Sequence, residues 1–171
     1  MKPLVIGYGN PLRGDDGAGP FVASQIGAGA IACHQLTPEL AETISQAGQV
    51  IFVDADASVP PGQIAIRPIR PRASTSIHRF DPETLLDWSQ QLYGRVPEAL
   101  LIGIGGESFG LGEGLSPAAK RATYEALRAI RQIKGAATDS RLRRPEATVR
   151  KPELTHSNPT GACPTHAAVC R

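Results

Sequence analysis

The sequence predicts an α/β fold: a single three-layer domain in which helices flank a mostly parallel sheet of about five strands. Two observations lead there. Short apolar runs alternate with stretches of helical spacing: Leu4-Val5-Ile6-Gly7, Ala30 to His34, Val50-Ile51-Phe52-Val53, Ile64-Ala65-Ile66 and Leu100-Leu101-Ile102-Gly103-Ile104. Runs that stay apolar instead of alternating belong to strands covered on both faces. Three candidate helices also open in the same way, at Thr37-Pro38, Asp81-Pro82 and Ser116-Pro117. In each, a side-chain oxygen satisfies an orphan amide and a proline pre-sets the first helical φ.

The elements follow in order. The first run breaks into the loop Gly7-Tyr8-Gly9-Asn10-Pro11-Leu12-Arg13-Gly14-Asp15-Asp16-Gly17-Ala18-Gly19, rich in glycine and therefore able to turn sharply and to let other groups come close. A helix starting near Asp16 or Gly17 would stabilise an ionised carboxylate there through its free amides and dipole. Phe21, Val22, Gln25 and Ile26 continue at helical spacing until Gly27-Ala28-Gly29 ends the helix. The run at Ile64 follows the Pro60-Pro61-Gly62 turn and is expected as an antiparallel edge strand. The last helix, Pro117 to about Lys134, places Ala119, Ala122, Ala126, Ile130 and Ile133 on one stripe toward the sheet. The order is β-α-β-α-β-β-α-β-α, within a domain spanning residues 1–134. Residues 135–171 carry four prolines, no sustained apolar period and a basic excess, and are expected to be a disordered tail.

Composition excludes several function classes. The chain has 171 residues, one domain's length, and 18 Lys+Arg against 16 Asp+Glu, a formal charge of +2. The excess lies in the tail, so the body carries neither a nucleic-acid-binding nor a membrane-binding charge pattern. The chain opens directly into a strand and contains no membrane-length apolar segment, which predicts a cytoplasmic protein. Three cysteines, Cys33, Cys163 and Cys170, fit a reducing compartment better than a disulfide framework. Cys163, His166 and Cys170 have a C-x-x-H-x-x-x-C spacing, but on a polar tail a solvated segment is the simpler reading.

Chemistry in an open α/β sheet belongs beyond the carboxyl ends of the strands. Asp16 follows the first strand, Asp54 ends the third in Val53-Asp54-Ala55-Asp56, and His78 lies before the third helix in Ser76-Ile77-His78-Arg79. An acid terminating a buried apolar strand is not there for packing, although Asp56 reads more simply as a loop cap. His34, which ends the second strand, is a rival to His78. Two carboxylates and one imidazole suit a borderline divalent ion with open positions left for other ligands. The competing reading of the opening loop, a dinucleotide fingerprint G-x-G-x-x-G, is weakened by Leu12 at the third glycine position and by two acids where phosphates would sit. H-E-x-x-H does not occur.

These motifs together resemble those of the hydrogenase maturation endopeptidases. The residues concerned are Gly7-x-Gly9-Asn10-x-Leu12, Asp15-Asp16-Gly17-x-Gly19, Phe52-Val53-Asp54-Ala55, Pro61-Gly62, the loop with His78, Gly106-Glu107-Ser108 and Gly114-Leu115-Ser116-Pro117. The resemblance implies an enzyme that removes the C-terminal extension from a nickel-iron hydrogenase large-subunit precursor. It puts the metal-contacting positions on Asp16, Asp54 and His78. The first is often glutamate in relatives; aspartate keeps the charge and shortens the reach. Nickel would arrive in the precursor instead of residing in the enzyme, which would act as a monomer. The general base would be Asp16 or Asp54, with the strand-end position favouring Asp54, unless nickel itself polarises the scissile carbonyl. A non-catalytic adaptor that senses the loaded precursor and a nucleotide-binding module are the alternatives from other classes.

Overall fold

The apolar runs form the five strands of one sheet, β1 (Leu4–Tyr8), β2 (Ala30–Cys33), β3 (Gln49–Asp56), β4 (Ile64–Ile69) and β5 (Glu98–Gly105). Their order in the sheet is β2-β1-β3-β5-β4. The structure is a computed structural model and describes residues 3–73 and 80–142. β1 pairs in parallel with both β2 and β3, and β3 with β5, so these four strands end at one edge. β4 runs antiparallel along β5 at the sheet's margin, as the Pro60-Pro61-Gly62 turn implied. The expected mostly parallel, five-stranded α/β architecture is borne out.

Helices cover both faces. α1 (Ala18–Ile26) and α4 (Pro117–Leu142) lie on one side, where Ala18, Val22, Ala122, Ala126 and Ile130 pack with Val5, Ile51, Val53, Ile102 and Ile104. α2 (Leu40–Ser45) and α3 (Pro82–Tyr93) lie on the other, where Ala41, Ile44, Leu85 and Leu86 pack with Ile6, Val50, Phe52 and Ala99. Successive residues of β3 thus serve opposite cores, which is why its sequence does not alternate. Each large side chain so buried contributes about 1.5–3 kcal/mol.

Two of the three proline-opened helices start as read from sequence. Asp81 accepts the Thr84 amide at 2.7 Å and Ser116 Oγ accepts the Ala119 amide at 3.1 Å. Thr37-Pro38 instead opens a turn, its carbonyls taking the amides of Leu40 and Ala41, and α2 begins only at Leu40. The last helix passes Lys134 and runs on to Leu142, into the stretch expected to be disordered tail, with Ala136 and Ala137 offsetting the low helix propensity of Gly135; the rest of that tail, with Cys163, His166 and Cys170, lies outside the described residues. Among the described residues no helix is long and apolar enough to cross a membrane.

Two glycines seat α1 on the sheet. A Cβ at Gly7 would stand 2.0 Å from the Gly19 carbonyl oxygen, and one at Gly19 2.4 Å from those of Tyr8 and Val53. The helix start therefore rests on the carboxyl ends of β1 and β3. These two strands form the sheet's topological switch point, since the chain leaves β1 for β2 on one side and returns to β3 on the other. A crevice opens at such a point.

Candidate functional site

The crevice at the ends of β1 and β3 is an open cleft of about 320 Å³ lined by Tyr8, Gly9, Asp16, His34, Gln35, Leu36, Asp54 and Phe80. Asp54 arrives there because β3 carries it past its buried segment Val50–Val53. Asp16 arrives from a 3-10 turn, Gly14–Gly17, that leads into α1. The two carboxylates share the cleft, and the negative charge of Asp16 acts on Asp54.

Their anchoring differs. Asp16 Oδ2 accepts the Asn10 amide at 2.8 Å, closing the loop onto itself, while Asn10 Oδ1 accepts the Leu12 amide at 2.9 Å. This commits amides that a pyrophosphate would need, so the glycines serve close backbone packing and not nucleotide binding. Asp54 Oδ1 accepts the amide of Ala55 at 2.8 Å. Burial pushes the Asp54 carboxyl up to about 6, with the charges of Asp16 and Asp56 adding to it, and polar contact with Tyr8 and Ala55 pulling the other way. The Tyr8 phenol is raised in turn, by burial first and by the Asp54 charge second, and stays protonated.

Of the sequence-derived candidates, Asp16 and Asp54 come together, and His78 lies outside the described residues. His34, the rival imidazole, is exposed on the rim of the same cleft. Among the described residues, no three His, Cys, Asp or Glu side chains are gathered closely enough to hold an ion by themselves. Two carboxylates facing an open cleft can instead supply oxygen ligands to an ion that other groups already hold. Asp56 caps its loop, accepting the amide of Ser58 at 2.8 Å and its hydroxyl at 2.6 Å. Tyr8 and Phe80 were not foreseen as site residues. Tyr8 could have been, because it ends a buried strand at the same edge as Asp54.

Asp15, next to Asp16, is fully buried and faces away from the cleft. Its carboxylate accepts the amides of Glu107 at 2.8 Å, Ser108 at 2.9 Å and Ser116 at 2.7 Å, and the Ser116 hydroxyl at 2.9 Å. Burial alone would raise its pKa; these bonds outweigh burial and hold it below the usual carboxylate range.

No protein-family model and no curated protein matches the chain. Solved structures do. A hydrogenase 2 maturation peptidase from a Thaumarchaeota archaeon is 27% identical, with a TM-score of 0.60 over 79% of this chain and 99% of its own. The hydrogenase maturating endopeptidase HybD from E. coli is 22% identical, with a TM-score of 0.63 over 82% of this chain and 94% of its own. The NiFe hydrogenase maturation protease HybD from Thermococcus kodakarensis is 21% identical, with a TM-score of 0.63 over 78% of this chain and 99% of its own. The chain resembles the hydrogenase maturation endopeptidases in fold, as its motifs implied.

Proposed function

We propose that this chain is a hydrogenase maturation endopeptidase, a hydrolase that removes the C-terminal extension of a nickel-loaded nickel-iron hydrogenase large-subunit precursor. The observation that carries the reading is the pair Asp16 and Asp54 in one cleft at the switch point, within a fold shared by solved maturation peptidases over most of their length.

Nickel enters as part of the substrate. Held by the precursor's own thiolates, it has positions left for oxygen and nitrogen donors. Asp16 and Asp54 supply two, and His78 a third. A precursor without the ion has nothing to bring its scissile bond to the carboxylates, so inspection and cutting become one event. Asp54, half protonated near pH 6, is matched to proton transfer at neutral pH. It takes a proton from water as the oxygen bonds to the scissile carbonyl carbon. It then returns the proton to the leaving nitrogen as the C–N bond breaks, and a carboxylate and an amine are released. Tyr8, protonated and beside Asp54, orients that carboxyl group. The enzyme works as a monomer in the cytoplasm.

Incubation of chelator-stripped enzyme with nickel-loaded and nickel-free precursor, followed by mass spectrometry, tests the reading. Only the loaded form should shorten. Equal cutting of both would refute nickel recognition. Cutting of neither, with zinc restoring both, would make the protein a conventional metalloprotease, and binding of the loaded form without cleavage would make it an adaptor.

A further inference from the structure

We infer that Asp15 is a positioning residue: its buried carboxylate clamps the loop that carries Asp16 to the loop between β5 and α4, and so sets where Asp16 stands in the cleft. The inference rests on the endopeptidase reading for its kinetic consequence and on geometry for the rest.

The clamp joins three elements that are remote in sequence. Glu107 and Ser108 follow β5, Ser116 opens α4, and Asp15 follows β1. One carboxylate takes four donors from them. Ser116 Oγ is used twice, donating to Asp15 and accepting from Ala119, so the first turn of α4 is keyed to the same carboxylate. Around the clamp the two loops are zipped by backbone bonds: the Asp15 amide to the Ser108 carbonyl at 2.8 Å, Gly14 to Gly112 at 2.8 Å, and Gly112 to Leu12 at 3.0 Å. The fit is tight, since a Cβ at Gly106 would stand 2.8 Å from that of Asp15.

On the cleft side the Asp16 carboxylate is braced by the Asn10 amide, itself part of the loop being positioned. The clamp, one peptide bond from Asp16, ties that loop to the loop between β5 and α4, while the Gly9 amide holds its other end to the carbonyls of Cys33 and His34 at the end of β2. Four donors around an ionised acceptor allow little drift, and a neutral amide in its place turns an NH2 group toward at least one of those donors.

Asp15→Asn is the test, with Ile130→Ala as a comparably destabilised control in the core under α4, about 20 Å along the helix from Ser116. Measurements are made well below the melting temperature of both variants. In Asp15→Asn, kcat/KM on the nickel-loaded precursor should fall about 10- to 100-fold, chiefly through KM, because Asp16 contacts the nickel by which the precursor is held. In the 15N-labelled protein without precursor, the Asn10 amide proton, which reports the Asp16 carboxylate, should move upfield and exchange about tenfold faster. Ile130→Ala should change neither. An unmoved Asn10 signal in Asp15→Asn, or the same movement in Ile130→Ala, would overturn the inference, as would unchanged kcat/KM. If wild-type enzyme fails to cut any precursor, the endopeptidase reading falls, and the Asn10 signal still decides whether Asp15 positions Asp16.

Discussion

Asp15 and Asp54 are acids withdrawn from water at the same edge of one sheet, and their surroundings drive them in opposite directions. Asp15 sits under the loop after β5 with four donors on its oxygens, and its pKa is lowered despite burial. Asp54 faces the cleft with one backbone amide and a phenol for company, and burial raises it to about 6. Burial costs both carboxylates hydration; what differs is how completely the protein replaces it. A fully satisfied carboxylate becomes a fastener. A poorly satisfied one remains available to bind an ion or exchange a proton, at a cost to stability.

The comparison is tested most severely by removing charge from Asp54. Asp54→Asn keeps the side chain's size, so the fold should persist, while cleavage of nickel-loaded precursor should fall on the order of 10²–10⁴-fold, the usual contribution of a general base. Wild-type kcat/KM should decline as pH falls through about 6, where Asp54 of the free enzyme takes up its proton. A variant retaining more than about a third of wild-type rate would show that the base lies elsewhere, with Asp16 next in line.

Asp15→Asn should also cost stability. It leaves a buried donor facing donors, worth about 3 kcal/mol, or roughly a 10 °C fall in Tm for a domain of this size. The sign follows from the lowered pKa. Between the unfolded and folded pKa values the native state binds fewer protons, so Asp15 stabilises fully above the unfolded value of 3.8 and loses that contribution as pH falls through its folded value. The gap between wild type and variant should therefore be wide at pH 7 and shrink in acid. A gap independent of pH would mean that the clamp works through shape and not through charge.

How far this contrast could be read in advance depends on sequence distance. Asp54 was legible because its signal is local: an acid at the end of Val50–Val53, a run too short and too β-branched for a helix. The sheet was legible for the same reason, and so were the caps at Asp81 and Ser116, whose bonds close over three residues. Asp15 was not. Its partners Ser108 and Ser116 are 93 and 101 residues away, and nothing local in the glycine-rich loop set it apart from Asp16. Thr37-Pro38 misled for a different reason. The pattern permits a helix start, but the carbonyls of Thr37 and Pro38 were taken by a turn, so α2 had to begin later. Tyr8 escaped notice because its phenol matters only through Asp54, which a separate strand delivers.

Asp54→Asn makes a second, smaller prediction opposite in sign to the first. A carboxyl raised from 3.8 to about 6 costs the fold up to about 3 kcal/mol once ionised, since the unfolded chain loses its proton first. Wild-type stability should decline as pH rises between these values. The asparagine variant lacks that slope, so it should be the more stable protein at pH 8 and no more stable than wild type at pH 4. Urea titrations at both pH values measure the difference, and a variant less stable at pH 8 would show that the Asp54 charge is better satisfied than its surroundings indicate.

The smallest effect is expected at Asp56, two residues along the same strand. Its carboxylate holds the amide and hydroxyl of Ser58, and its side chain lines a different depression, with Gln63 and Arg67. Asp56→Asn keeps an acceptor oxygen for the Ser58 amide, and asparagine caps such turns about as well as aspartate, so stability should change by less than about 0.5 kcal/mol. The lost charge is nevertheless among those that raise Asp54. Asp54 should then ionise at lower pH, and the acid limb of the cleavage profile should move down while the rate at pH 8 stays at the wild-type level. A displaced limb with an unchanged plateau is what a neighbouring charge produces without touching substrate. A lowered plateau would instead place Asp56 in contact with the precursor, and the division between the acids that fasten and the acids that react would have to be redrawn between β3's last two carboxylates.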